Sequence, residues 1–333
     1  MTENDESRPA AESSRSPAQA GGDPLPLGGG INSNVLQLSP NVLQVGDADN
    51  VHQQRPLGIR YGVLWLGVIV CSLLAIPVGS AMTSNFGVAG PTILQAVSPA
   101  WTAIVMAVLV IVYTGLAYLL ARELNPAVAL FVVGWGFGVL ALSTAGISEF
   151  AWMEGSLWAL GIETLIWSLV VGGLVLWVMR VSGGLPDVPH DWRAESVGSL
   201  ASLSSKPSLM AFACGAIALP LSWLLLADNL NAQALGAVVL ASFFAGMAGR
   251  VAAPRLDPIL IYFSVPFLGG IAQLVIASGW SGSLSDALVT GEIPRLAYLM
   301  PLDWVAGSLI GVSMGIGWAR SFIVQEAVEN TAS

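Results

Sequence analysis

Residues 156–179 read SLWALGIETLIWSLVVGGLVLWVM, twenty-four residues with Glu163 as their single charge. At 1.5 Å per residue a helix of this length reaches about 36 Å, enough to cross a hydrocarbon core of ~30 Å. The stretch shows no alternation of apolar and polar residues, so it does not read as a strand of a membrane barrel. A helix is the remaining way to satisfy its backbone in lipid. Seven further runs of this kind lie around it, and together they predict spans near 61–82, 100–121, 126–146, 156–179, 208–227, 232–249, 257–278 and 302–319. The fold class expected is all-α: a polytopic helical membrane bundle of about eight transmembrane helices.

Composition agrees. Of 333 residues, 55% are hydrophobic and 10% charged, with a mean hydropathy of +0.73. Soluble domains carry about 25% charged residues. The twelve Trp against five Tyr fit a chain with apolar–water interfaces. Trp101, Trp158, Trp177, Trp223, Trp304 and Trp318 fall near span ends, where an aromatic belt is expected.

Orientation follows from the basic residues. Placing the N-terminus in the cytoplasm puts Arg55, Arg60, Arg122, Arg180, Arg193, Lys206, Arg250, Arg255 and Arg320 on the inside, and of the twelve basic residues only Arg295 outside. The positive-inside rule therefore predicts N-in and C-in, which an odd number of spans would spoil. The organisation expected is a disordered cytoplasmic tail over 1–57, a first four-helix half over 58–182, a cytoplasmic loop over 183–207, a second four-helix half over 208–321, and a cytoplasmic C-terminal tail over 322–333.

The N-terminal stretch is rich in Ser, Pro, Gly, Ala and Asp, a composition that buries too little apolar surface to fold alone. Its acidic start has no apolar core behind it, so it does not read as a signal peptide. Asn34-Val35-Leu36-Gln37 recurs as Asn41-Val42-Leu43-Gln44. That is either a short docking segment for a membrane or cytoplasmic protein partner or a coincidence of biased composition. A bacterial cytoplasmic membrane is the localisation expected.

Several chemistries lack their residues. His52 and His190 both sit in polar segments, leaving no histidine in the spans for a b-type haem, a histidine metal site or a serine–histidine pair. There is no HExxH motif and no P-loop. Asp228, Asp257 and Asp303 lie at span ends, unsuited to a two-aspartate protease. The twelve scattered basic residues make no nucleic-acid surface. Cys71 and Cys214 lie in apolar runs and read as inert thiols rather than a disulfide. The expectation is no catalytic residue, no metal, no cofactor and no enzyme.

What remains is packing and one carboxylate. Gly307, Gly311 and Gly315 recur every four residues in the last span, as do Ala241, Ala245 and Gly249 in the sixth. Small residues at that spacing share a face and let two backbones approach, so both series read as helix-packing seams. Asn125-Pro126-Ala127 occurs as a single copy and reads as an N-cap followed by a first-turn proline. Pro77, Pro220 and Pro266 stand inside spans, where each removes a backbone hydrogen bond and should kink the helix.

Glu163 stands out, about 12 Å into the fourth span. An ionised side chain near the bilayer centre costs roughly 2.5–3.5 kcal/mol on insertion scales, somewhat less at this depth. Two readings stay open: a pathway or proton-relay group, or a glutamate held protonated by desolvation and hydrogen-bonded to a neighbouring helix as a structural clamp. Ser143, Thr144, Gln273 and Ser308, with Thr164 and Ser168 on the same helix, are the residues at similar depth that would complete a polar pocket. The loops over 83–99 and 279–301 could cover it or simply connect. Function is bounded to a permease or channel component for a small or weakly charged solute, proton-linked through Glu163, or to a non-transporting scaffold or accessory subunit.

Overall fold

The structure, a computed structural model, describes residues 56–183, 185, 205–254, 256 and 258–332, with side chains as far as Phe322. The tail over 1–57 apart from its last two residues, its Asn-Val-Leu-Gln repeats, most of the 183–207 loop, Asp257 and the side chains beyond Phe322 lie outside the described residues. The described residues belong to a single compact unit.

Eleven α-helices are described: α1 (Leu57–Ala81), α2 (Pro99–Glu123), α3 (Pro126–Ser143), α4 (Ile147–Trp152), α5 (Leu157–Ser182), α6 (Lys206–Cys214), α7 (Ala218–Leu225), α8 (Asn231–Ala252), α9 (Ile259–Gly279), α10 (Leu284–Thr290) and α11 (Pro301–Ala332). Eight segments are long and apolar enough to cross a membrane: α1, α2, α3, α5, the combined Lys206–Leu225, α8, α9 and Pro301–Phe322 of α11. Their bounds fall within a few residues of the predicted spans. The ends farthest from Leu57, where the chain passes from α1 to α2 and from α9 to α11, define the distal face below. The short α4 and α10 lie in the connections on that face.

Local chemistry sets the helix ends. Asn125, in extended conformation, accepts the Ala127 N–H on Oδ1 at 2.9 Å and hands over to Pro126 as the first residue of α3. Beyond α5, Gly183 adopts φ +80°, a left-handed C-terminal stop that side chains other than glycine's resist. The fifth span is not one uniform helix. A 3-10 turn at Gly215–Ile217 separates α6 from α7. Pro220 has no N–H to donate to the Ala216 carbonyl, so the α-helical ladder is interrupted where that bond would form.

α3 and α11 form the middle of the bundle. Of the most apolar window in each span, 83% is buried in α11 and 67% in α3, against 28% in α1, in α2 and in the fifth span. The two sequence halves pack into each other: α9 lies along α5, and α11 lies against both α8 and α3. Close approach depends on small residues. A Cβ at Gly134 of α3 would lie 2.7 Å from Leu309 Cβ of α11, and one at Gly161 of α5 would lie 2.7 Å from the Leu274 side chain of α9. Gly134 and Gly136 are thus packing positions against neighbouring helices.

Outward faces are as apolar as inward ones. Leu66, Ile69, Leu73 and Ile76 of α1, Ile104, Val108 and Ile111 of α2, and Ile162, Ile166 and Leu169 of α5 all lie exposed at helical spacing. An apolar surface of this extent around a bundle is a hydrocarbon-facing surface. Trp101, Trp158, Trp177, Trp223 and Trp318 are exposed, but Trp304 is not. It was expected in the aromatic belt and instead is fully buried, its ring against Gly269 of α9. Its position near a helix end does not bring it to the interface, because α11 is central at that depth.

Candidate functional site

Glu163 lies on α5, six residues or about 9 Å from its distal end. It is 6% exposed. The loop between α1 and α2 folds down onto it. That loop is held by paired backbone bridges, Thr83 with Ala89 and Ser84 with Ala96, by the Gly90 N–H to the Met82 carbonyl at 2.6 Å, and by the Ala145 N–H to the Ala89 carbonyl at 2.9 Å. A 3-10 turn at Ile93–Gln95 then presents its backbone to α5. The Ile93 N–H donates to Glu163 Oε1 at 3.0 Å. The Leu94 N–H and the Trp167 indole also face the carboxylate. Oε2 is buried and has no hydrogen-bond partner.

Beside the carboxylate is a cavity of about 520 Å³ between the loop, α2 and α5. Ile93 and Leu94 form its roof. Ala103, Met106, Ala107 and Val110 line it from α2, and Ile166, Trp167 and Val170 line it from α5. Glu163 is the one charged residue in this lining. Ile111, Ile162 and Ile166 belong to the lining and to the exposed outer surface at once, so the mouth opens sideways between two lipid-facing helix faces. The volume falls in the range of small-molecule sites, which are mostly apolar with a few placed polar groups.

The other residues expected around Glu163 do not share this cavity. Gln273 faces another side of α5: its Oε1 accepts from the Thr164 hydroxyl at 2.7 Å, and its Nε2 donates to the Leu299 carbonyl at 2.7 Å. This buried chain ties α5, α9 and the approach to α11. Ser143, Thr144, Ser168 and Ser308 each turn their hydroxyl back onto a carbonyl of their own helix, to Leu140, Ala141, Leu165 and Val305. A serine or threonine in an apolar helix has that local acceptor always within reach. The polar pocket expected from depth alone therefore resolves into a satisfied clamp at Gln273 and a buried carboxylate at Glu163 with one oxygen unpartnered.

The glycine and alanine series lie elsewhere. Gly307, Gly311 and Gly315 of α11 face α8, where an added Cβ at Gly311 would meet the Val239 carbonyl and one at Gly315 the Phe243 carbonyl. Ala241 and Ala245 are fully buried on α8. Gly249 continues their spacing but turns toward Ile261 of α9 and Cys214 of α6. This is the most extensive helix pairing in the described chain.

Two features were not singled out in sequence. Asp303 sits at a span end by position, yet it is 4% exposed and accepts the Met300 N–H on Oδ2 at 2.8 Å. Its place three residues past Met300, in the first turn of α11, is the signal for that cap. Trp167 lines the cavity one turn beyond Glu163, a relation visible in the i, i+4 spacing. A second depression of about 390 Å³, with Glu154, Ser156, Trp158, Trp280 and Ser283 in its wall, lies on the distal face.

No family model, curated protein or solved structure matches the chain. The eight apolar helices and their lipid-facing surfaces decide its class. It is a multi-pass membrane protein. Among the described residues no group of three His, Cys, Asp or Glu is placed to hold a metal ion.

Proposed function

We propose that this membrane protein is a non-enzymatic permease component that takes up a small, weakly charged solute in the crevice between α2 and α5, with Glu163 as the group that engages the solute and carries the linked proton. The observation that carries the reading is Glu163, buried and with no hydrogen-bond partner at Oε2, in the lining of a 520 Å³ apolar cavity. A carboxylate in this position usually marks a pathway or relay in membrane proteins. The lining spans Ala103–Ile111 on α2 and Ile162–Val170 on α5, about 12 Å of helix in each case. That is less than half of the ~30 Å core, which suits an alternating-access site better than an open channel.

A second reading, a scaffold or accessory subunit, draws on the Ile93–Glu163 hydrogen bond. On that reading the carboxylate is a clamp that pins the first distal loop to α5. Mass spectrometry of the protein released gently in native lipid separates the two. A small molecule retained by the wild type and lost in Glu163→Gln supports the permease reading. A stoichiometric protein partner with no small molecule supports the scaffold. Glu163→Leu is expected to abolish activity while the bundle stays folded; full activity in that variant would remove Glu163 from the mechanism.

A further inference from the structure

We infer that the ligand of the crevice is a lipophilic amine, which reaches the site sideways from the hydrocarbon layer and donates a hydrogen bond from its protonated nitrogen to the Glu163 carboxylate. The inference rests on the crevice-binding reading above and names its ligand class.

The protein surrounds this carboxylate with donors. The Ile93 N–H, the Leu94 N–H and the Trp167 indole all present hydrogens to it. In its ionised form a carboxylate only accepts hydrogen bonds, so the partner matching the unpaired Oε2 is another donor. No Lys or Arg lines the cavity to neutralise the charge. A carboxylate without a counter-charge is costly in hydrocarbon, and a ligand cation offsets that cost where an alcohol would not. Charge-assisted hydrogen bonds are also roughly twice as strong as neutral ones. The indole of Trp167 supplies an aromatic surface in the same wall, a further preference for a cation.

The rest of the ligand is set by the walls. Met106, Val110, Ile166 and Val170 offer only apolar contact. The lining residues Ile111 of α2 and Ile162 and Ile166 of α5 are themselves exposed on the lipid-facing surface. Glu163 is about 9 Å below the start of α5, too deep for a lipid headgroup resting at the interface. The ligand is therefore a compact hydrocarbon body with one ammonium head, not a phospholipid.

The test uses the full chain in phosphatidylcholine nanodiscs with radiolabelled octylamine as probe. Saturable binding of one octylamine per chain is expected, weakened at least tenfold in Glu163→Gln. It is also expected to be lost in Ala107→Trp, which fills the crevice from α2 without touching the carboxylate. Ala103→Leu, a smaller intrusion, serves if the Trp variant fails to fold, and should weaken binding severalfold. Equal binding in Glu163→Gln, displacement of octylamine by octanol at equal concentration, or phosphatidylcholine retained in the crevice against excess octylamine would each overturn the inference. The two readings fail separately. A solute from native lipid that is lost in Glu163→Gln but lacks an N–H donor overturns the amine and leaves the permease. Octylamine binding beside a stoichiometric protein partner, with no native solute, upholds the amine and overturns the permease.

Discussion

The α8–α11 seam and the α2–α5 crevice are both pairings of apolar helices in the same medium, yet one is closed to the backbone and the other stands open. Lipid tails are as apolar as leucine, so hydrophobicity cannot drive either pair together; closeness of backbone contact decides. Along α11 the glycines at 307, 311 and 315 let the α8 backbone come within reach of its carbonyls. α2 has only Gly115 in its interior, and an added Cβ there would meet nothing within 4 Å. Its side toward α5 carries Met106 and Val110 beside Ala103 and Ala107, and the cavity lies between these and α5. Glycines every fourth position make a structural joint, while alanines at the same spacing on α2 border a space.

The contrast breaks most easily at the seam. Gly311→Leu forces a side chain into the Val239 carbonyl and should cost about 3 kcal/mol, read by unfolding in mixed detergent–lipid micelles. A loss below 1 kcal/mol there would mean that α8 and α11 separate without penalty. A smaller loss, about 1 kcal/mol by the same measurement, is expected for Gln273→Leu, which removes the buried link from Thr164 to Leu299. Asn125→Ala should also cost about 1 kcal/mol through its lost N-cap, with no effect on ligand retention. Smallest of all, Ala107→Leu should change stability by no more than about 0.5 kcal/mol, because it grows into existing space. A large destabilisation by Ala107→Leu would show that the crevice is closed in the membrane.

Much of this architecture was legible because membrane helices announce themselves by length. The eight spans needed only runs of apolar residues long enough for the core, and the Asn125-Pro126 start needed only local capping chemistry. The small-residue seam on α11 was legible from spacing alone, but Gly249 turns away from it because α8 meets α9 and α6 at its end. Facing was the harder matter. All faces of these helices are apolar, so periodicity cannot tell a lipid-facing side from a buried one, and Trp304 was placed at the interface for that reason. Depth identified Glu163 as unusual but could not choose its partners. Ser143, Thr144 and Ser308 lie at suitable depths and bond to their own helices instead. Ile93, the real partner, sits in an aperiodic loop whose path depends on backbone bridges that leave no pattern in side-chain type.

A hydrogen bond from the Ile93 N–H to Glu163 Oε1 joins the first distal loop to α5. The same carboxylate thus has one oxygen bonded to the loop and the other buried without a partner. Any occupant that pulls on Oε2 and shifts the bond at Oε1 must, by reciprocity of linked equilibria, feel the loop in return, with the same factor in each direction. An antibody fragment or protein gripping residues 83–98 would then tune how strongly the crevice holds its guest. The loop works as a handle on the crevice whose roof it forms.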